Sequence, residues 1–343
     1  MTKLPLIQPE LLPETRALVD AAVAAVAGSR HLVGLGDKNE VDGAAVDAMR
    51  SSLLRSGFDG VVVIGEGEKD EAPMLFAGER FGLGAGAGEG ISPGSTAGAG
   101  AAPSDLPDPL WDVAVDPIDG TALAAAGTPG AVSVIAASEF GTMALAPEVF
   151  YMQKLVTSSA GRGVVDLDAS ATANIRSLAG ALGKPVSELR VAVIDKPRNA
   201  ALIAEVQAAG AIWASFAEGD VAQAVVAAAE GTDVDILLGV GGNPEGVASA
   251  VAVQVVGGFM QGRLAPQTEP ERLSALAAGH DLGRKFELHE LVSGARHIFV
   301  MAGVTDGPLT RGFIERDGVL QVEVLVLDSA LGDPVVLTEV VEL

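Results

Sequence analysis

Residues 111–121 carry the pattern that most restricts the fold of this chain: Trp-Asp-Val-Ala-Val-Asp-Pro-Ile-Asp-Gly-Thr. The alternating apolar run at its start predicts a buried strand that ends at Asp116. Pro117 has no backbone N–H and is expected to stop the hydrogen-bond ladder, while Gly120 permits a tight turn. The segment therefore predicts a strand that leads abruptly into a turn.

Two carboxylates, those of Asp116 and Asp119, are expected at the end of this strand. Thr121 follows as a candidate N-cap for the Ala-rich segment after it. Carboxylates beside a helix N-terminus suit a hard cation and a phosphate group. The segment thus predicts a ligand site at a strand-to-helix junction.

The core of the chain must be built largely from aliphatic side chains. Of its 343 residues, 49 % are hydrophobic but only 4 % are aromatic. The length allows about two domain-sized units. Because aliphatic cores suit helices packed on sheets, and because strand-like and helix-like segments alternate, we predict an α/β fold of mixed layers.

Apolar patterns locate the elements of this fold. Helices are expected at 14–27, around 42–53, and at 199–209, 220–230 and 244–256. Strands are expected at 60–64, 111–115, 131–138, 191–195, 234–240 and 297–304, with a closing hairpin of 320–327 and 335–341. We predict an N-terminal lobe of residues 1–185 and a C-terminal lobe of residues 186–343.

The net charge of −23 argues against several classes of partner. Nucleic acids and anionic membranes both require a basic surface. Cysteine is absent, which excludes disulfides, thiolate metal sites and a cysteine nucleophile. The first residues lack the apolar core of a signal peptide, and no apolar run approaches the roughly 20 residues that span a bilayer. We expect a cytoplasmic protein that binds neither nucleic acid nor membranes.

Residues 82–108 consist mostly of Gly, Ala, Ser and Pro. A dinucleotide-binding loop would lead directly into a helix, but these glycines continue into more glycine and proline. The composition instead predicts a flexible surface insertion.

Further acidic residues fall at the ends of predicted elements. Asp42 shares a helix stripe with apolar residues and is expected to face inward, although it could also interact with the helix dipole. Glu66 lies between two glycines directly after the predicted strand 60–64, and Glu68 follows the second glycine; an ordinary acidic loop is the alternative. Glu245 follows a glycine-rich turn and opens a predicted helix.

If these carboxylates converge with Asp116 and Asp119, their repulsion requires cations. All-oxygen ligands select Mg²⁺ or Mn²⁺, and the four histidines are too scattered for a zinc site. Two such ions about 3.5–4 Å apart would clamp a phosphoryl group and activate water. Thr121 could orient that water or donate to the phosphate, in addition to capping its helix.

Basic residues near such a site would bind the phosphates of a substrate. Lys196, Pro197 and Arg198 directly follow a predicted strand, and an arginine can hold a phosphate through two hydrogen bonds. The alternative is a solvated loop. Lys38 lies in the glycine turn before Asp42 and is a further candidate.

Two other segments are candidates for contacts with a sugar. Tyr151, the single tyrosine, could stack on a sugar or belong to the core. Glu218, Gly219 and Asp220 end an apolar segment and open a predicted helix, where plain capping by Asp220 is the alternative. Gly242 would allow the backbone to approach a ligand closely.

Together these segments resemble the class II fructose-1,6-bisphosphatases, a branch of the lithium-sensitive, metal-dependent phosphatases. Asp-Pro-Ile-Asp-Gly-Thr at 116–121 resembles the hallmark of the wider superfamily. Gly-Glu-Gly-Glu-Lys-Asp-Glu-Ala-Pro-Met at 65–74 resembles a stretch peculiar to class II. The segments 36–39, 196–198 and 244–246 match in order, so the resemblance covers nearly the whole chain.

The resemblance implies a layered α-β-α-β-α fold with mixed sheets, assembled as a homodimer or homotetramer. It implies hydrolysis of the 1-phosphate of fructose 1,6-bisphosphate by metal-activated water, a gluconeogenic reaction, with two Mg²⁺ or Mn²⁺ ions. Sedoheptulose 1,7-bisphosphate is an alternative substrate, and the class II stretch disfavours inositol phosphates. A non-catalytic sugar-phosphate-binding protein is the alternative from another class.

The resemblance also implies roles for individual residues. One metal ion would be bound by Asp42 and Glu66, and the other by Asp116, Asp119 and Glu245. The sugar phosphate would be surrounded by Gly120, Thr121, Tyr151, Lys196, Arg198, Glu218, Asp220 and Gly242. The candidate catalytic groups are Thr121, Asp119 and Glu66.

The chain departs from the family pattern in three places. The insertion at 82–108 is longer than usual, and Glu218 stands where the family usually has aspartate. The tail at 322–343 is acidic and aliphatic where relatives carry basic residues. None of the implied metal ligands is missing.

Overall fold

The structure is a computed structural model that describes residues 10–65, 75–82 and 109–343. Within these ranges helices and strands alternate along the chain. The strands are β1 Gly60–Ile64, β2 Arg80–Phe81, β3 Trp111–Asp119, β4 Val132–Glu139, β5 Tyr151–Thr157, β6 Arg190–Ile194, β7 Ile212–Phe216, β8 Ile236–Gly242, β9 Phe259–Leu264, β10 Phe286–Glu287, β11 His297–Gly303, β12 Ile314–Arg316, β13 Val319–Asp328 and β14 Val335–Glu342. The helices are α1 Pro13–Ser29, α2 Lys38–Ser56, α3 Thr121–Ala126, α4 Ala171–Leu182, α5 Ala200–Ala208, α6 Asp220–Ala228, α7 Asn243–Val256, α8 Glu269–Ala277 and α9 Leu288–Leu291.

The first sheet of the described part contains eight strands in the order β12-β13-β11-β4-β3-β1-β2, with β14 paired to β13. β1 and β3 run parallel, and the other neighbours in the sheet are antiparallel. β13 and β14 form the predicted closing hairpin, in which Val319 lies opposite Glu342.

The second sheet contains six strands in the order β10-β9-β5-β8-β6-β7. β6 runs parallel to β7 and β8, and the remaining pairs are antiparallel. Both sheets draw strands from each side of residue 185, where we predicted a boundary between lobes. The division into two lobes stays a prediction.

Helices cover both faces of the first sheet. Leu18 of α1 and Met49 of α2 share one core with Val113 and Val115 of β3. Ala114, the residue between those two valines, belongs to a different core on the opposite face, because successive strand side chains point to opposite faces. β3 is therefore buried on both sides, as its aliphatic sequence predicts.

The second core lies between the two sheets and is filled by α6 and α7. It joins Val225 of α6 and Val251 of α7 to Val134 of β4 and Met260 of β9. Burying each such side chain stabilises the fold by about 1.5–3 kcal/mol relative to its exposure to water.

A third core, which includes Ile175 of α4 and Val206 of α5, covers the outer face of the second sheet. The order is α1 and α2, sheet, α6 and α7, sheet, α4 and α5. This arrangement confirms the expected α/β fold with five alternating layers and mixed sheets.

The strand at 111–115 is longer than predicted. β3 continues to Asp119, and its pairing with β4 shifts between Asp116 opposite Val134 and Asp119 opposite Val132. Pro117 lies within this irregularity, where a residue without an N–H costs no ladder hydrogen bond. The prediction that the strand ends at Asp116 is therefore wrong.

The junction between β3 and α3 also differs from the prediction. Gly120, with a φ of 88°, occupies the N-cap position, and Thr121 is the first helical residue. The Thr121 hydroxyl donates to the carbonyl of Ile118 at 3.2 Å instead of accepting from a backbone N–H. Thr121 is therefore not the N-cap, because the left-handed turn at Gly120 begins the helix one residue earlier.

Across the described ranges, no helix combines the length and the apolar character needed to cross a membrane.

Candidate active site

Asp119, at the end of β3, lies buried where the first sheet meets the start of α6. Asp119 is only 6 % exposed to solvent. The carboxylate accepts a hydrogen bond from the backbone N–H of Val221 at 3.2 Å. This N–H belongs to the first turn of α6, which begins after Gly219 in a left-handed conformation. The start of α6 therefore provides a donor for a carboxylate on the first sheet.

Lys154 and Asp220 form a buried ion pair in the same region. Lys154 lies on β5 and is 2 % exposed, and its ammonium also donates to the carbonyl of Gly242 at 3.0 Å. Asp220 makes no side-chain cap for α6, whose N-cap is Gly219. The alternative that Asp220 merely caps the helix is wrong, because Lys154 binds its carboxylate.

Glu245 adds a third carboxylate from the first turn of α7. The residue is half-buried, but its Oε2 atom is enclosed and has no hydrogen-bond partner. A Cβ at Gly242 would lie 2.7 Å from Oε1 of Glu245. The glycine at 242, predicted to let a ligand approach, thus makes room for the chain's own carboxylate. We call Asp119, Lys154, Asp220 and Glu245 the carboxylate cluster.

The charges in the carboxylate cluster do not balance. Burial, together with the charges of Glu245 and Asp220, raises the pKa of Asp119 to about 8. Burial also raises the pKa of Glu245, and the positive charge of Lys154 opposes this rise. Carboxylates held so close to one another in a protein interior disfavour ionisation unless a cation compensates them.

Asp119 and Glu245 offer the oxygen ligands that suit a hard divalent cation, and the enclosed Oε2 of Glu245 lacks a partner that a cation would supply. In the part of the chain that the structure describes, no three acidic or histidine side chains form a group that could hold a metal ion. Magnesium sites commonly use only one or two carboxylates, with waters and substrate phosphates completing the shell.

The remaining predicted metal ligands lie in other places. Asp42 is half-buried on α2, and burial raises its pKa, which agrees with the expectation that it faces inward. The backbone at the start of α2 is instead capped by Asp37. Asp116 is half-buried on β3. Glu66 and Glu68 lie outside the described residues, and so does the predicted insertion from residue 83 onward.

Two predicted substrate contacts meet beside the start of α3. The carboxylate of Glu218 accepts from the backbone N–H of Ala122 at 3.1 Å. Its other oxygen lies 3.8 Å from Nζ of Lys196. Glu218 thus connects the loop after β7 with the helix that Thr121 begins.

Arg198 and Tyr151 form a second pair of predicted contacts. The guanidinium carbon lies 4.7 Å from the centre of the tyrosine ring, a cation–π distance. Nε of Arg198 donates to the carbonyl of Val240 at 2.7 Å. Both side chains are half-buried, so the arginine is held against the protein and is not part of a freely solvated loop. Pro197, between Lys196 and Arg198, is exposed, as is Lys38 at the first position of α2.

Cavities in the described part only partly coincide with these residues. A cavity of about 880 Å³ is lined by residues such as Met143, His280 and Phe286, and by none of the predicted site residues. A cavity of about 440 Å³ includes Glu218 and Gly219. Because chemistry depends on the charged groups, we place the site at the carboxylate cluster and not in the larger cavity.

Lys154 is the one member of the carboxylate cluster that the sequence analysis missed as a functional residue. Met152, Lys154 and Val156 lie on the same face of β5, since residues two apart on a strand share a face. All three are buried. A lysine among apolar residues at this spacing was the available signal, because a buried lysine requires a partner.

Comparisons with known proteins show the family of this chain. The model of the family described as "Bacterial fructose-1,6-bisphosphatase, glpX-encoded" matches residues 14–337. "Fructose-1,6-bisphosphatase 1 class 2" of Escherichia coli strain K12 is 37 % identical over 317 residues, which cover 89 % of this chain and 87 % of the relative. The class 2 enzymes of Escherichia coli O6:H1 and Shigella flexneri match with the same identity and coverage.

The family match extends over both sheets and over every described member of the carboxylate cluster. The level of identity over nine-tenths of the chain agrees with it. The chain therefore belongs to the class 2 fructose-1,6-bisphosphatase family.

Proposed function

We propose that the 1-phosphate of fructose 1,6-bisphosphate is hydrolysed beside Asp119 and Glu245. The chain is a phosphatase, and hydrolysis of fructose 1,6-bisphosphate in gluconeogenesis follows from its family. One observation carries the location: the enclosed Oε2 of Glu245 has no partner, in a cluster with more negative than positive charge. The phosphoryl group would be transferred to water beside these two carboxylates.

Two basic residues support binding of the second phosphate of the substrate. Lys196 and Arg198 follow β6, and the guanidinium is fixed over Tyr151. Arginine recognises phosphate through a rigid pair of donors, and lysine provides a mobile point charge. We assign the second phosphate of the substrate and its sugar to these residues. Gly242 and Asp220 would contact the substrate on the side that faces the carboxylate cluster.

The family is metal-dependent, and the oxygen donors favour Mg²⁺ or Mn²⁺. When bound, such a cation polarises the phosphoryl oxygens and makes water more acidic. Asp119 and Glu245 would hold it in this part of the site. Asp42, Asp116 and Glu66 stay proposed ligands, in agreement with the family resemblance.

Thr121 and Asp119 are the proposed groups that handle the attacking water. The Thr121 hydroxyl stands two residues after Asp119 and presently donates to the carbonyl of Ile118. A hydroxyl can accept one hydrogen bond while it donates another. Thr121 would thereby orient the water towards the phosphorus, and a neighbouring carboxylate, with Glu66 as a further candidate, would accept its proton.

A cytoplasmic location and assembly into a homodimer or homotetramer complete the proposal. Neither changes the chemistry at the carboxylate cluster.

A phosphate-release panel tests the proposed function. It compares fructose 1,6-bisphosphate, sedoheptulose 1,7-bisphosphate and inositol phosphate, each with Mg²⁺, Mn²⁺ or EDTA. We expect release from fructose 1,6-bisphosphate with a divalent cation and none with EDTA. Binding of the sugar phosphate without turnover in Mn²⁺ would contradict the proposal and favour a binding protein. Equal turnover of sedoheptulose 1,7-bisphosphate would show a dual-specificity enzyme.

A further inference from the structure

Lys154 lies within the proposed site, but the proposed reaction gives it no role. It lies in the middle of β5, and its ammonium contacts the starts of two different helices. It pairs with Asp220 at the first position of α6 and donates to the carbonyl of Gly242, the N-cap of α7, at 3.0 Å. Lys154 therefore joins the two helix starts that surround Asp119 and Glu245.

The backbone around Lys154 is shaped to admit its side chain. A Cβ at Gly241 would lie 2.9 Å from Nζ, and a Cβ at Gly246 would lie 3.3 Å from Cδ. Burying an ion pair is costly unless its charges and hydrogen bonds are satisfied. Lys154 meets this condition, because it has both a carboxylate and a backbone carbonyl as partners.

Charge balance explains why a lysine belongs in this position. When ionised, the carboxylates of Asp119, Asp220 and Glu245 carry three negative charges, and Lys154 supplies one positive charge. All four groups interact electrostatically, and Arg198 adds a second positive charge that acts on Glu245. The ionised groups together therefore keep a net negative charge that a cation can compensate.

We propose that Lys154 is a positioning residue: a fixed counter-ion that holds the starts of α6 and α7 together and limits the affinity of the carboxylate cluster for a divalent cation. The inference rests on the proposed metal site at Asp119 and Glu245. Without the ammonium, the three carboxylates would repel one another more strongly when no cation is bound. They would also attract a cation more strongly.

Lys154→Met in the full chain tests the inference, since it removes the charge and keeps much of the volume. We expect a lower melting temperature in EDTA and about a tenfold lower dissociation constant for Mn²⁺ by calorimetry, because one neighbouring positive charge is lost. For phosphate release, kcat should fall more than KM rises. Lys184→Met is the matched control: the exposed Lys184 pairs with Asp235 at 2.5 Å, and its loss should change neither Mn²⁺ affinity nor kcat.

A second variant, Lys154→Met/Asp220→Asn, separates charge from packing. It restores the net charge of the wild-type cluster, so Mn²⁺ affinity should return to within about twofold of wild type and stability in EDTA should recover. If the single variant does not fold, the double variant should still fold.

Two results would overturn the role of Lys154. One is Mn²⁺ affinity in Lys154→Met that is unchanged or weaker, and the other is a double variant that fails to fold. A wild-type protein that neither binds Mn²⁺ nor releases phosphate would instead contradict the proposed function, so the two failures are distinguishable.

Discussion

Two groups of charged side chains illustrate opposite uses of the same residue types. The first is the carboxylate cluster, which combines three acids with one base. The second, which we call the surface network, combines two acids with two bases: Arg263 pairs with Asp168, and Lys285 contacts both Asp166 at 2.5 Å and Asp168 at 3.0 Å.

The pKa values of the two groups shift in opposite directions. The pKa of Asp166 is lowered, chiefly by its hydrogen bond from Lys285, and that of Asp168 is lowered, chiefly by Arg263. In the carboxylate cluster, burial is the main cause that raises the pKa of Asp119 and Glu245. The charges of the surface network balance one another, whereas the acids of the carboxylate cluster outnumber its one base. We use that deficit to place the proposed functional site.

Asp119→Asn should produce the largest effect. It removes a proposed cation donor but keeps the shape of the side chain, so phosphate release from fructose 1,6-bisphosphate in Mn²⁺ should fall at least about a hundredfold. Circular dichroism should show an intact fold. Asp168→Asn, in the surface network, is the matched control and should stay within about twofold of wild type. Equal losses of phosphate release in both variants would contradict the distinction between the carboxylate cluster and the surface network.

Metal binding should stabilise the wild-type protein through the carboxylate cluster. At a free Mn²⁺ concentration 100 times the dissociation constant, linkage predicts a gain of about 2.7 kcal/mol in the free energy of unfolding. Thermal or chemical denaturation with and without EDTA measures this gain. It should largely disappear in Asp119→Asn and persist in Asp168→Asn. A gain that survives in Asp119→Asn would place the metal at a different site.

Glu245→Gln should separate stability from activity. The amide removes a buried negative charge and can donate a hydrogen bond, so the metal-free protein should gain about 1–2 kcal/mol in unfolding free energy. Phosphate release should nevertheless be lost. Denaturation in EDTA provides the measurement, with Glu269→Gln on the exposed surface of α8 as the control. A destabilised Glu245→Gln protein would show that Oε2 has a structural partner.

Lys285→Met should give the smallest effect. Exposed ion pairs contribute little, so the melting temperature at pH 7 should fall by about 2 °C or less. The lowered pKa of Asp166 means that the ion pair stabilises the fold above the unfolded pKa and is lost as the pH falls through the folded pKa. The difference from wild type should therefore shrink as the pH falls below the ordinary aspartate pKa of about 3.9, and it should also shrink in high salt. A larger fall in melting temperature at pH 7 would show that the surface network contributes substantially to the stability of the fold.

Several regular elements followed closely from the sequence, but β5, β7 and β9 of the second sheet and the helices α4 and α8 were not predicted. The strand predicted at 60–64 is β1 with the same bounds, and the predicted hairpin of 320–327 and 335–341 is formed by β13 and β14. Periods of two and of about 3.6 residues report burial directly, because side chains on the buried face of a strand or helix must be apolar. The errors at Asp116 and Thr121 arose at a junction, where a shift in strand register and one left-handed glycine decide the backbone.

The sequence by itself determined the layered α/β fold, the family and the segments that carry the acidic residues, since these depend on local patterns and on motifs. Only the tertiary structure decided which charges meet. Lys154 and Asp220 are 66 residues apart in sequence, and Asp119 contacts Val221 across 102 residues. Such pairs form because α6 and α7 pack between β3 of the first sheet and β5 of the second, and no local pattern encodes the distance between residues on different layers. Burial, which only packing creates, then turns ordinary acids into a site that needs a cation.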